Sequence, residues 1–234
     1  MSRKADLRLQ RTGTVINMTS SAQETKLGKA LKAVIARIEG EFAVRLQHDR
    51  DWRLHGIVQG LADDFPDVPF DEVMLTSAMK PDGGILSILD GEGEKHVILI
   101  TEVKNQGTND LRKKEGLKKQ ARGNAIERLG KNVIGFRTAM LTERITPFVC
   151  FGYGCDFEDG SSILDRVKTI AMFGPLNEVC VADLGEAGVF NRGSFFFREE
   201  EWTEPEMEDV MYEVAKRSIY YYFSKYGEQS FKAA

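Results

Sequence analysis

The stretch KPDGGILSILDGEGEKHVILITEVKNQG, residues 80–107, carries two apolar runs on either side of a Gly-rich segment. Each run has the length and β-branched content of a short strand, and the intervening DGEGEK is typical of a hairpin turn: residues 85–89 and 97–103. Side chains alternate between the two faces of a strand, so Glu102 and Lys104 point the same way. The hairpin also brings Asp82 close to Glu102. The sequence therefore predicts two carboxylates and an ammonium group at one edge of a sheet.

Such a group of charges is costly to desolvate and is typical of places where chemistry compensates for the cost. Mg²⁺ suits the predicted site, because it takes one or two carboxylates while substrate phosphate oxygens and water complete its shell. A bound Mg²⁺ lowers the pKa of a water molecule, and a lysine can orient or deprotonate that water for attack on a phosphodiester. The alternative is an exposed Glu–Lys ion pair on a surface hairpin, which contributes little.

Apolar periodicity along the rest of the chain predicts helices that alternate with strands. Helices are expected at about 21–42, 125–141, 162–173 and 205–224, and further strands at 147–151, 178–184 and 194–198. Residues 105–123 are expected to be irregular or weakly helical. This order predicts an α/β fold in which helices flank a mixed central sheet. We expect residues 1–20 to form a flexible segment and 21–234 a single domain, with its catalytic and recognition core at about 76–184.

The distribution of charge fits a polyanion held on one face of the protein. The formal net charge is −4, yet residues 101–131 contain nine Lys or Arg and four Asp or Glu, whereas residues 198–213 contain eight acids and one base. A solvated basic loop that faces a solvated acidic helix is the simpler alternative. The N-terminus lacks the apolar stretch of a signal peptide, so a cytoplasmic location without membrane association is expected.

A second group of polar residues lies in GNAIER, residues 123–128. Asn124 and Glu127 have the spacing of a capping box at the start of a helix, which is the structural interpretation. The functional interpretation is base recognition in the major groove, because Asn can bond adenine N6 and N7 and Glu can accept from an exocyclic amine. The segment can serve both purposes.

Three segments, KPDGGI, ITEVKNQG and ARGNAIERLGKN, closely resemble the corresponding segments of the EcoRI/MunI-like type II restriction endonucleases. This group belongs to the PD-(D/E)xK nuclease superfamily, and three motifs in the same order are more specific than any one of them. The resemblance covers about residues 76–155, with a weaker similarity at 161–177. It implies the PD-(D/E)xK fold, a restriction–modification system and Mg²⁺ as the cofactor.

The resemblance also implies roles for individual residues. Asp82, Glu102 and Lys104 would be catalytic, and Mg²⁺ would be held by Asp82, Glu102 and the main-chain carbonyl of Val103. The DNA-contacting residues would be Gln106, Lys118, Lys119, Arg122, Gly123, Asn124, Ala125, Glu127, Arg128 and Arg166. Asn124, Ala125, Glu127 and Arg128 match the segment that reads the adenines of a central AATT, and the nearby lysines would contact phosphates.

We therefore expect a homodimeric restriction endonuclease that cleaves both strands of a palindromic site in double-stranded DNA. Arg122 matches the members that recognise CAATTG, so CAATTG is favoured over GAATTC for the outer base pair. A cognate DNA methyltransferase is expected in the same system, without direct contact. The alternatives are another PD-(D/E)xK nuclease acting in repair or on DNA structures, and a DNA-binding protein that does not cleave.

Overall fold

The structure is a computed structural model, and it describes residues 16–105, 107–118, 124–168 and 175–232. The strands are β1 (Arg45–Asp49), β2 (Trp52–Arg53), β3 (Ala78–Met79), β4 (Gly84–Leu89), β5 (Lys95–Asn105), β6 (Phe148–Tyr153) and β7 (Ser194–Arg198). The α-helices are α1 (Ile16–Phe42), α2 (Leu54–Asp64), α3 (Gly107–Lys114), α4 (Asn124–Ala139), α5 (Ser162–Arg166) and α6 (Glu204–Tyr226). The described ranges also contain two 3₁₀ helices, Glu186–Phe190 and Glu228–Phe231. None of the helices in these ranges is long and apolar enough to cross a membrane.

A five-stranded mixed sheet in the order β1-β4-β5-β6-β7 forms the centre of the protein. The β4–β5 hairpin is antiparallel and places Gly84 opposite Thr101, whereas β5 and β6 run parallel with Glu102 opposite Cys150. β2 and β3 pair separately. The predicted hairpin and the predicted α/β fold with a mixed central sheet are therefore confirmed.

Helices cover both faces of the sheet, and β5 presents different residues to each. On one face, α1 packs against α6, and Trp202 just before α6 lies 5.5 Å from Phe151 of β6 between ring centroids. On the other face, Phe136 of α4 stacks on Phe148 of β6 at 5.7 Å. Glu102 faces α4, because it accepts a hydrogen bond from that helix. The chemistry-bearing side chains of β5 thus lie beneath α4.

Several elements differ from the expectation. The segment 178–184 is not a strand, because its backbone makes only an isolated bridge, Ala182 to Ile145, while the Asp183 side chain is held by Arg137 and Asn191. The first helix begins at Ile16 rather than near residue 21, and extending an established helix by a few residues costs little. Residues 1–15 of the predicted flexible segment lie outside the described residues.

Within the segment after β5, which its composition predicts to be irregular or weakly helical, residues Gly107–Lys114 form a defined helix, α3. Its side chains anchor it to the loop after β6: Asn109 Nδ2 donates to Asp156 Oδ2 at 2.5 Å, and Cys155 N–H donates to Asp110 Oδ1 at 2.7 Å. Asn109 and Asp156 are both buried, so the bond between them is well shielded from water. The helix therefore depends on contacts distant in sequence.

Candidate active site

A tight turn before β4 places Asp82 at the end of the hairpin. The Gly83 N–H donates to the Thr101 carbonyl of β5 at 3.0 Å, and the Gly84 N–H donates to the Pro81 carbonyl at 3.1 Å. Gly84 has a φ of +81°, which residues with a side chain rarely adopt. The sequence Pro-Asp-Gly-Gly therefore allows the chain to pass close to β5 with the Asp82 carboxylate directed at its end.

Asp82, Glu102 and Lys104 converge at this end of the hairpin. The Val103 N–H donates to Asp82 Oδ2 at 3.1 Å, and the Asp82 N–H donates to Glu102 Oε2 at 3.3 Å. Lys104 Nζ lies 3.5 Å from Asp82 Oδ2 and donates to Glu102 Oε1. The structure thus brings together the two carboxylates and the ammonium group that strand alternation predicts.

Burial controls the electrostatics of this cluster. Glu102 is 2% exposed, and burial raises the pKa of its carboxyl, with the charge of Asp82 adding to the effect and that of Lys104 opposing it. Burial disfavours the ammonium form of Lys104, but the charges of Glu102 and Asp82 outweigh it, so the pKa of Lys104 is raised. Lys104 is therefore an ammonium group that partly compensates two carboxylates, one of them buried.

The oxygen atoms of the cluster fit a divalent cation that takes only a few of its ligands from the protein. Asp82 and Glu102 supply carboxylate oxygens, and within the described ranges no group of three or more His, Cys, Asp or Glu could hold a metal ion. The Val103 N–H points to Asp82, and the N–H and C=O of a strand residue point to the same side, so the Val103 carbonyl also faces Asp82. Two carboxylates and a carbonyl leave room for phosphate oxygens and water, as Mg²⁺ requires.

Two residues that the sequence analysis did not assign support the cluster from outside the hairpin. Asn132 Nδ2 of α4 donates to Glu102 Oε1 at 3.1 Å, and His48 Nε2 of β1 lies 2.8 Å from the Gly83 carbonyl. Neither residue is close in sequence to the hairpin. The available signal for Asn132 was its place in the predicted helix at about 125–141, eight residues after Asn124.

The candidate recognition segment lies at the start of α4. The backbone of Asn124, Ala125 and Glu127 is in the first turns of that helix, while their side chains lie outside the described part of the protein. Arg128 is exposed on the same helix. Gln106, Lys119, Arg122 and Gly123 fall outside the described residues.

The two remaining predicted DNA contacts lie on the surface. Lys118 is exposed at the end of the segment after α3, and Arg166 is exposed at the last residue of α5. Neither is joined to Asp82, Glu102 or Lys104 by a described hydrogen bond or ion pair. The structure therefore places both where a large ligand can reach them, outside the charged cluster.

Comparison with known proteins identifies the family of this chain. A family model described as restriction endonuclease EcoRI matches residues 10–163. The chain is 31% identical over 222 residues to the type II restriction enzyme RsrI of Cereibacter sphaeroides, and this alignment covers 70% of the chain and 80% of RsrI. It is 29% identical over 193 residues to the type II restriction enzyme EcoRI of Escherichia coli, and that alignment covers 66% of the chain and 68% of EcoRI. The chain therefore belongs to the EcoRI family of type II restriction endonucleases, which are site-specific deoxyribonucleases.

Proposed function

We propose that the protein cleaves both strands of DNA, in a Mg²⁺-dependent reaction, at a palindrome with a central AATT. CAATTG is the favoured site and GAATTC the second candidate. The observation that carries the proposal is the convergence of Asp82, Glu102 and Lys104 beside α4, the helix that begins at Asn124. Family membership also favours a restriction enzyme over a repair nuclease or a DNA-binding protein that does not cleave.

Each member of the charged cluster has a distinct role in this proposal. Asp82, Glu102 and the Val103 carbonyl hold Mg²⁺, which supplies a water of lowered pKa and charge neutralisation at the phosphate. Lys104 orients the attacking water, and its ammonium group stabilises the negative charge that develops on the phosphate oxygens. The products are a 3′-hydroxyl and a 5′-phosphate, with 5′ overhangs.

Recognition is divided between base contacts and phosphate contacts. The start of α4 enters the major groove, where Asn124, Ala125, Glu127 and Arg128 read the inner base pairs. The sugar–phosphate backbone of the DNA is contacted by the other proposed residues: Gln106, Lys118, Lys119, Gly123 and Arg166. Phosphate contacts position the protein without specifying the sequence, so specificity at the AATT core resides in the α4 residues.

The proposed palindromic DNA site determines which protein partners we propose. A palindrome read by identical halves requires a two-fold homodimer, because each subunit presents the same recognition helix to one half-site. Host DNA must be protected in the compartment where the enzyme acts, so we propose a cytoplasmic location and a cognate methyltransferase that modifies the same site. No contact between the two enzymes is implied.

Digestion of a fully sequenced plasmid tests the proposal directly. With Mg²⁺, we expect discrete fragments whose mapped ends share a hexamer with a central AATT and carry 5′ overhangs. Omission of Mg²⁺ and addition of a chelator should stop cleavage, because two carboxylates alone do not activate water. Fragments without a common end sequence, or cleavage in the presence of chelator, would contradict the proposed activity.

The Asn124→Ala substitution should reduce discrimination at one inner base pair. A good bidentate contact to adenine contributes about 1–3 kcal/mol, so the preference for AATT over a site changed at that pair should fall by about 5- to 150-fold. Single-turnover cleavage of matched duplexes measures the ratio. The melting temperature of the variant must be measured as well, because Asn124 is also at the N-terminal end of α4. An unchanged ratio in a folded variant would remove Asn124 from the set of base readers.

The Arg122→Ala substitution tests the outer base pair. Arginine in the major groove bonds most often to guanine O6 and N7, so the wild-type enzyme should prefer CAATTG over GAATTC, TAATTA and AAATTT duplexes. Loss of a base contact should remove the preference at the outer position only. Loss of a phosphate contact should weaken all four sites alike and reduce the salt dependence of binding. Lys118→Ala, at an exposed proposed phosphate contact, is the matched control for the second pattern.

A further inference from the structure

The Glu102 carboxylate accepts hydrogen bonds from two different parts of the protein. Its Oε2 accepts from the Asp82 N–H at 3.3 Å, and its Oε1 accepts from Lys104 Nζ, both within the hairpin. Oε1 also accepts from Asn132 Nδ2 at 3.1 Å, and Asn132 belongs to α4. Because Glu102 is 2% exposed, these bonds are shielded from water and determine which way the carboxylate faces.

Asn132 lies in the same helix as the candidate base readers. Asn124, Arg128 and Asn132 follow one another at intervals of four residues and therefore form a single row along α4. At about 1.5 Å per residue, Asn132 is about 12 Å further along the axis than Asn124. One end of the row is at the start of the helix, and the other end contacts the buried carboxylate.

The helix between these ends is a stiff connection. Buried apolar residues hold the inner face of α4 against the sheet: Ile126, Leu129, Val133 and Phe136. A displacement of the start of α4 is therefore transmitted along the helix to Asn132. Through the Asn132–Glu102 bond, the orientation of the candidate catalytic carboxylate then depends on the position of the helix.

We propose that Asn132 is a positioning residue that links base recognition at the start of α4 to the alignment of Glu102. The inference rests on the proposed roles of Glu102 and of the α4 residues. When α4 is seated on the correct site, Asn132 holds Glu102 in the orientation that cleavage needs. On a site with a changed base pair, a different position of α4 weakens the bond. A misplacement of about 1 Å at a reacting group can reduce the rate about 100-fold, so a small shift is sufficient.

The Asn132→Leu substitution tests the link, because leucine is similar in size to asparagine and has no donor. Loss of an outer partner of a metal ligand typically costs about 10- to 100-fold in metal affinity or activity. We expect a loss of that size in the single-turnover cleavage rate at the site identified by digestion, with a higher Mg²⁺ concentration needed for half-maximal rate. The rate at a site with one changed base pair should fall less, so the ratio between the two sites should narrow.

Binding measurements give a readout that is independent of cleavage. DNA affinity without metal should remain within about threefold of wild type, because Asn132 is not a proposed DNA contact. The gain in affinity on adding Ca²⁺, measured by fluorescence anisotropy while a gel shows the duplex intact, should be smaller in the Asn132→Leu variant. Thr138→Ala, at an exposed position of α4, is the matched control and should match wild type in every assay.

The outcomes separate this inference from the proposed function. If Glu102→Gln is inactive while folded Asn132→Leu keeps the wild-type rate and Mg²⁺ dependence, the role of Asn132 is overturned and that of Glu102 stands. Equal losses at the correct and the changed site would overturn the link to recognition. If Glu102→Gln itself cleaves normally, the assignment of the active site fails, and the role of Asn132 fails with it.

Discussion

The Lys104→Ala variant is expected to lose DNA cleavage, with a single-turnover rate at least about 1,000-fold below wild type. Lys104 Nζ lies 3.5 Å from Asp82 Oδ2 and donates to Glu102 Oε1, so it is the ammonium group at the centre of the cluster. In the proposed mechanism, its removal takes away the donor that orients water and stabilises charge at the phosphate. Binding to specific DNA, measured by gel shift without metal, should survive, because the proposed base readers are on α4.

Isosteric variants separate chemistry from folding. Lys104→Ala leaves Glu102 buried without its ammonium partner, which is destabilising. Asp82→Asn and Glu102→Gln keep the volumes of the side chains and should also be inactive. Lys216→Ala, at a lysine of α6 whose described ion pair is with Glu213, is the control and should cleave normally. Wild-type cleavage by folded Lys104→Ala would show that the active site lies elsewhere.

Local patterns predict the parts of the fold whose apolar residues are arranged with a clear period. The hairpin, α4, β6, β7 and α6 are each found close to their predicted bounds. By contrast, β1 has the sequence RLQHD and only becomes a strand because it pairs with β4 at the edge of the sheet. The segment EVCVADL has the composition of a strand, yet Asp183 is drawn into contacts with Arg137 and Asn191 and no ladder forms.

The candidate site also has residues that local sequence patterns predict and residues that they do not predict. Asp82, Glu102 and Lys104 were predicted together because the turn and the alternation of β5 determine their proximity, and both signals lie within one short stretch. Asn132 was not predicted because its contact with Glu102 spans 30 residues and depends on how α4 packs across the sheet. His48 depends in the same way on the pairing of β1 with β4. Contacts of this kind are decided by tertiary packing.

The Gly83→Ala substitution should disable the enzyme without touching a charged residue. A Cβ atom at Gly83 would lie 1.9 Å from Thr101 Oγ1 and 2.9 Å from Leu27 Cδ2, both of which are fully buried. The Pro81–Gly84 turn must therefore move away from β5, and Asp82 moves with it. A shift of about 1 Å can lower the rate about 100-fold, and overpacking of this kind typically costs about 1–3 kcal/mol of stability. Single-turnover cleavage and thermal unfolding measure the two effects.

A second substitution shows that the clash, and not the loss of glycine itself, is responsible. Thr101→Ala removes Oγ1, which has no described hydrogen-bond partner, and leaves the new Cβ 3.1 Å from Thr101 Cβ. The double variant Gly83→Ala/Thr101→Ala should therefore recover part of the activity and stability that Gly83→Ala loses. Gly60→Ala in α2 is the control, since nothing lies within 4 Å of its Cβ position; it should cleave normally and gain about 0.4–1 kcal/mol. Normal cleavage by Gly83→Ala would mean that the position of the turn does not determine where Asp82 acts. Failure of Thr101→Ala to restore any activity would place the effect of Gly83 at Leu27, whose side chain is the other neighbour of the new Cβ.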